Sequence, residues 1–194
     1  MLSPFLRCTA FAGFDRIASG ELRHVAMKAK QAFDAHPERA VRVFDDGNGQ
    51  TIELPMELPA ADFLRVLTLP MTQAAEVAAP RKPGRPKLGV VAREVTLLPR
   101  HWDWLAAQPG GASVALRKLV EDARKVSAES DHRRASQETA YRFMLAMMGD
   151  ATGFEETARA LFAADMGRFE LCIQAWPDDV RDHVTLLATD AFLH

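Results

Sequence analysis

Residues Arg81-Lys82-Pro83-Gly84-Arg85-Pro86-Lys87 divide the chain. Four of these seven residues are basic and none is acidic. Two prolines and a glycine keep the run out of any helix, so it reads as an extended, charged ribbon. A linker over Thr72–Pro86 leads into it, rich in Ala, Val, Glu, Pro and Lys and without an apolar period. Beyond it, Val90-Val91-Ala92-Arg93-Glu94-Val95-Thr96-Leu97-Leu98 is strand-like and stops at Pro99. Proline at a first helical position predicts a helix over Pro99–Gln108. Pro109-Gly110-Gly111 breaks it, and Ser113 is placed to cap a second helix with Leu116, Leu119, Val120 and Ala123 as its apolar stripe.

Upstream, Cys8–Phe14 is strand-like, and Ser19 reads as the cap of a helix running to about Ala35. Leu22, Val25, Ala26, Ala29 and Phe33 keep the helical period. Ala40–Phe44 and Thr51–Leu54 flank Asp45-Asp46-Gly47-Asn48-Gly49, which predicts a hairpin. A short helix follows near Ala60–Leu67. Downstream, four amphipathic runs predict a helical bundle. Their apolar positions include Tyr141, Met144, Leu145 and Met148, then Phe154, Ala158, Leu161 and Phe162, then Phe169, Cys172, Ile173 and Trp176. Pro177 opens the last, with Val180, Val184, Leu187 and Ala191. The expected fold is α+β, in four segments: a β-α-β-β unit over 1–70, a basic linker over 71–89, a strand-helix-helix segment over 90–127 and a helical region over 128–194.

The chain has 194 residues, 48% of them hydrophobic, which is ample for a core. No apolar run approaches the roughly 20 residues of a membrane span, and the N-terminus does not read as a signal peptide. Two distant cysteines, Cys8 and Cys172, make neither a disulfide framework nor a zinc site, so a cytoplasmic location is expected. Net charge is −2, but it is unevenly placed. Arg81–Ser127 holds ten Lys/Arg against four Asp/Glu, a net of +6, between an N-terminal stretch at −2 and a C-terminal one at −6. A basic segment between acidic ones is a footprint for a polyanion.

Catalytic and metal constellations are not visible in the sequence. Asp179 and His183 stand four apart on the last helix, but two ligands without a third do not hold zinc, and a solvated helix face is expected. Gly84-Arg85-Pro86-Lys87 lacks the length and the Ser/Thr of a Walker loop. No Gly-x-Ser-x-Gly elbow is present, and neither cysteine has a nearby histidine. The Met cluster Met144, Met147 and Met148 is expected to fill core. Trp102 and Trp104 differ by two, so one is expected in the core and the other at a contact. The reading is of a protein that is not an enzyme and uses no cofactor, metal or small-molecule substrate.

The order strand, Leu98-Pro99, helix, glycine turn, capped helix resembles the ribbon-helix-helix DNA-binding domain. That resemblance implies a homodimer whose paired strands enter the major groove. It places Arg93, Val95 and Leu97 on the groove side and makes Gly110-Gly111-Ala112-Ser113 the phosphate contact. Val95 and Leu97 are poor readers of base edges, so low sequence discrimination follows. Pro83-Gly84-Arg85-Pro86-Lys87 resembles an AT-hook, a minor-groove ligand centred on Arg-Gly-Arg-Pro, with Pro83 in place of the first core arginine. Nearly the whole chain resembles a bacterial family of uncharacterised proteins, domain-of-unknown-function family 2239. The matching residues run from Gly84 to Trp102 and Gln108 to Ser113, with Phe44-Asp45-Asp46 and Tyr141-Arg142-Phe143-Met144.

The expected function is low-specificity DNA binding, regulatory or nucleoid-associated. Arg81, Lys82, Gly84, Arg85, Pro86 and Lys87 form the ribbon, Arg93 and Arg100 extend the positive stripe, and Gly111 and Ser113 anchor the backbone. The rival expectation is a protein-interaction module whose basic segment docks an acidic partner.

Overall fold

The computed structural model describes residues 6–68, 91 and 93–193. The order of elements is β1 (Arg7–Ala12), β2 (Asp15–Glu21), α1 (Leu22–Ala35), β3 (Val41–Asp45), α2 (Ala60–Thr68), α3 (Pro99–Ala106), α4 (Gly111–Met148), α5 (Phe154–Phe162), α6 (Met166–Ile173) and α7 (Asp178–Leu187), then a 3-10 turn at Thr189–Phe192. The fold is mixed α+β and mostly helical. The described residues within Met1–Gln73 and Ser130–His194 form one compact unit, and those within Ala74–Glu129 form a second.

In the first unit the sheet is antiparallel with order β2-β1-β3. β1 is central and buried on both faces, and the period of two sorts its side chains. Cys8 and Ala10 join Val43 under Val25 and Ala29 of α1. Phe11 and Phe44 point the other way, into a core shared with Phe143 and Met144 of α4, Leu161, Phe169, Ile173 and α7's Val180 and Val184. Both ends of the chain therefore build one core. Met144 and Met147 are buried there, as their core-filling role requires.

Several details differ from the sequence reading. The N-terminal order is β-β-α-β, not β-α-β-β. Gly13 takes a left-handed φ of 62° and turns β1 into β2, and Ser19 lies inside that strand, paired with Thr9. The cap position of α1 is Glu21, which makes no side-chain capping bond. The turn after β3 is present: the Asp45 N–H donates to Gln50 O at 2.9 Å and the Ile52 N–H to Val43 O at 2.7 Å. The returning segment makes a single bridge, Phe44 with Thr51, instead of a fourth strand. Gly49 explains the tightness of that turn. Its φ is 70°, and a Cβ there would lie 2.1 Å from Thr139 O of α4.

In the second unit, Val91 and residues 93–98 form no strand. A lone strand has no ladder partner within one chain, so its backbone gains nothing from the extended state. α3 begins at Pro99 as expected but ends at Ala106. Ser113 is not a cap. Gly110 and Gly111, with φ of 86° and 74°, turn the chain directly into α4, which starts at Gly111. α4 then runs 38 residues without a break, across the boundary expected near 127. Neither Gly nor Pro stands between Gly111 and Gly149, so nothing interrupts its hydrogen-bond ladder.

Candidate nucleic-acid interface

Arg81, Lys82, Gly84, Arg85, Pro86 and Lys87 lie outside the described residues. The remaining predicted contacts sit on the second unit. Arg93 and Arg100 are exposed, and neither makes an ion pair with another described residue. Arg117, Lys118, Arg124 and Lys125 are exposed on the first half of α4. Arg124 holds Glu121 at 3.6 Å, a loose surface pair that solvent screens. Glu94 and Asp103 are exposed as well and dilute the positive field around Arg93 and Arg100.

The start of α4 has some of the donors a phosphate needs. The Gly111 N–H is already spent on Gln108 O at 2.9 Å. The N–H groups of Ala112 and Ser113 fall in the first turn of α4, ahead of the first i→i−4 bond of the helix. They lie at the positive end of the helix dipole, with Ser113 exposed among them. The contribution of Gly111 is thus its left-handed backbone and not its N–H.

Trp102 and Trp104 are both exposed, which corrects the expectation that one is core. The buried residue of α3 is Leu105, three residues on from Trp102, and Ala115 of α4 is buried as well. Val91, Val95 and Leu98 are exposed too. This stretch therefore shows water a large share of its apolar side chains.

A second polar constellation, missed in the sequence, lies in the core of the first unit. His183 is only 1% exposed, which corrects its expected place on a solvated helix face. Its ring sits 5.5 Å from that of Phe11 and 4.7 Å from that of Phe143. Its Nε2 lies 3.5 Å from Asp46 Oδ1, and both atoms are buried without a hydrogen-bond partner among the described residues. Thr9 Oγ1 donates to the other Asp46 oxygen at 3.2 Å and lies 3.1 Å from Ser19 Oγ. Burial pushes the His183 pKa down to about 4, helped by the charge of Arg16. Burial also raises the Asp46 carboxyl, opposed by the Thr9 bond and the Arg7 charge. Asp179 does not share a ligand with His183, because its Oδ2 accepts the Arg16 N–H at 2.8 Å and tethers α7 to β2. The pair joins the β3 turn to α7. Thr9 bonds the carboxylate and not the imidazole. The signal for this pair was Asp46 beside a hairpin glycine, and nothing local to it points to His183.

Cys8 is fully buried, and its thiol is pushed up to about 12 by burial and by the charges of Asp46 and Asp45. Among the described residues, no three His, Cys, Asp or Glu side chains form a metal site, and no helix is long and apolar enough to cross a membrane.

The structure is that of a mixed α+β protein, mostly helical, with a core built from both ends of the chain and a basic helical segment whose apolar side chains are partly exposed. The chain belongs to the family of uncharacterized proteins conserved in bacteria (DUF2239), whose model matches residues 7–188. No curated protein and no solved structure matches it.

Proposed function

We propose that the protein binds DNA with low sequence discrimination, through the basic ribbon Arg81–Lys87 and the exposed basic residues of the second unit. The observation that carries the reading is the charge distribution. A stretch of net +6 lies between acidic flanks, and its described basic side chains are exposed. Neutralising phosphates releases counterions, and that term supplies most of non-specific affinity. Arg81, Lys82, Arg85 and Lys87 supply it in this basic sequence, with Gly84 and Pro86 completing its likeness to a minor-groove hook. Arg93 and Arg100 add phosphate contacts, and the N–H groups of Ala112 and Ser113 with the Ser113 hydroxyl hold one phosphate at the start of α4.

Fluorescence anisotropy with short A·T-rich and G·C-rich duplexes across a salt series tests this. The expected result is micromolar binding with a steep salt slope and a preference for A·T. Arg85→Ala is expected to weaken binding and to lower the salt slope by about one. No binding at low salt would end the proposal and turn the search to an acidic protein partner.

A further inference from the structure

We propose that Trp104 is a stacking platform for an unpaired base, so that the second unit binds single-stranded DNA as well as duplex. The inference rests on the DNA-binding reading and adds a second form of its ligand. It starts from where α3 leaves its indoles. The residue that α3 buries is Leu105. At about 3.6 residues per turn, Trp102 lies about 60° around the helix from Leu105, and Trp104 about 100°. Their exposures follow that order, 40% for Trp102 and 52% for Trp104. Trp102 therefore borders the buried side, and Trp104 stands clear of it.

Charge selects the occupant. Arg100 is exposed and stands one helical turn before Trp104. Residues so spaced are neighbours on a helix surface, with Cβ atoms about 5–6 Å apart. A sugar joins a phosphate to its base across a comparable gap, so one nucleotide can set its phosphate on Arg100 and its base on Trp104. Asp103, the acidic residue of α3, lies on the far side of Arg100, about 100° around the helix from Trp104. The stretch Arg81–Ser127, which carries α3, has a net charge of +6. An indole beside a guanidinium in such a stretch suits an aromatic polyanion.

Pairing decides which form of DNA meets the ring. In a duplex each base face is covered by its neighbours, and a side chain reaches one only by unstacking a step. An unpaired strand offers its base faces freely. Stacking on an indole also tolerates any sequence, because every base has a π-face. The stacking contact is indifferent to salt, whereas the Arg100 contact is weakened by it.

Anisotropy and tryptophan fluorescence on the full chain, with oligo(dT) alone and paired to oligo(dA), make the test. A Trp102→Phe background leaves Trp104 as the exposed tryptophan of the chain's three, because Trp176 is only 4% exposed. Saturating oligo(dT) is expected to quench it strongly, and the paired strand to leave it nearly unchanged. Trp104→Ala is expected to weaken oligo(dT) binding about 5- to 150-fold, the loss of one stacked base, with duplex affinity and helical circular dichroism unchanged. Trp104→Phe should keep most of the affinity. Arg100→Ala should lower the oligo(dT) salt slope by about 0.7, the value of one phosphate on a single strand, and Trp104→Ala should leave that slope alone. Oligo(rU) is expected to bind no more tightly than oligo(dT), and a preference for it would overturn the assignment to DNA. Duplex binding without single-strand binding would overturn the proposal and leave the DNA reading standing, whereas failure of both forms to bind would end both. Single-strand binding without quenching, or a Trp104→Ala variant that loses both forms alike, would overturn it as well.

Discussion

Replacing Phe143 by alanine probes the joint between the two ends of the chain. Phe143 is fully buried, with ring centroids 5.5 Å from Phe11, 4.9 Å from Phe44 and 4.7 Å from His183. It therefore touches β1, β3 and α7 at once. Truncation removes the transfer free energy of the ring and leaves a cavity between the sheet and the helices. Such changes cost about 3–5 kcal/mol. The upper half of that range is expected, because four elements converge there and cannot all collapse inward. In a chain of this size the loss shifts the thermal midpoint by roughly 8–20 °C. Urea titration followed by tryptophan fluorescence in a Trp102→Phe, Trp104→Phe background reports the helical side, because Trp176 is buried in the same core. Pulsed thiol labelling of Cys8 reports the sheet. Both probes are expected to move together to lower urea in Phe143→Ala. A loss under about 1 kcal/mol, far below the core range, would refute the reasoning, as would Cys8 exposure separated from the Trp176 transition.

Stability is expected to fall as pH drops from about 6.5 to about 4, the ordinary and folded pKa values of His183. Over that window the unfolded chain takes up a proton that the folded one refuses, at a cost of roughly 3 kcal/mol. Asp46, with its carboxyl raised, acts in the opposite sense and offsets part of this. His183→Leu should flatten the profile, measured by urea midpoints at a series of pH values, and an unchanged profile would contradict the assignment. Gly49→Ala combines left-handed strain with a clash against Thr139 O and should cost well over 2 kcal/mol, whereas Gly153→Ala, with open space around it, should cost only the about 1–2 kcal/mol of the left-handed backbone. Chemical denaturation of the two variants compares them. Native protein should react with a thiol reagent at Cys172 and not at Cys8, whose thiol is buried and pushed up to about 12. One equivalent is expected when folded and two when unfolded.

Much of the architecture is readable from local chemistry. Pro99 marks the start of α3, and Pro177 stands at the cap of α7. The Asp45–Gly49 turn lies where its Asx and glycine residues demand, with the Gly47 N–H held by Asp45 Oδ1 at 2.8 Å. Two elements are misread because a local signal competes with a tertiary one. Ser19 has the chemistry of a helix cap, but pairing with Thr9 of the central strand holds it in β2. The helix expected after Ser113 and the one expected at Tyr141–Met148 are a single helix, α4, because no Gly or Pro interrupts the ladder between them. Of the strand expected at 90–98, Val91 and residues 93–98 lie outside any strand in the single chain, where ladder hydrogen bonds have no neighbour. The basic segment is legible as composition. The burial of His183 against Asp46 is not, because the two stand far apart in sequence and meet only when the sheet closes on α7.

Hydrogen exchange of the full chain with and without an A·T-rich duplex tests the central claim most directly. Slowed exchange is predicted in the ribbon around Arg85 and in the first turns of α4 through Lys118, with α5, α6 and α7 unchanged. Protection confined to the acidic helices after Ser130, or none under conditions where the duplex is bound, would contradict it.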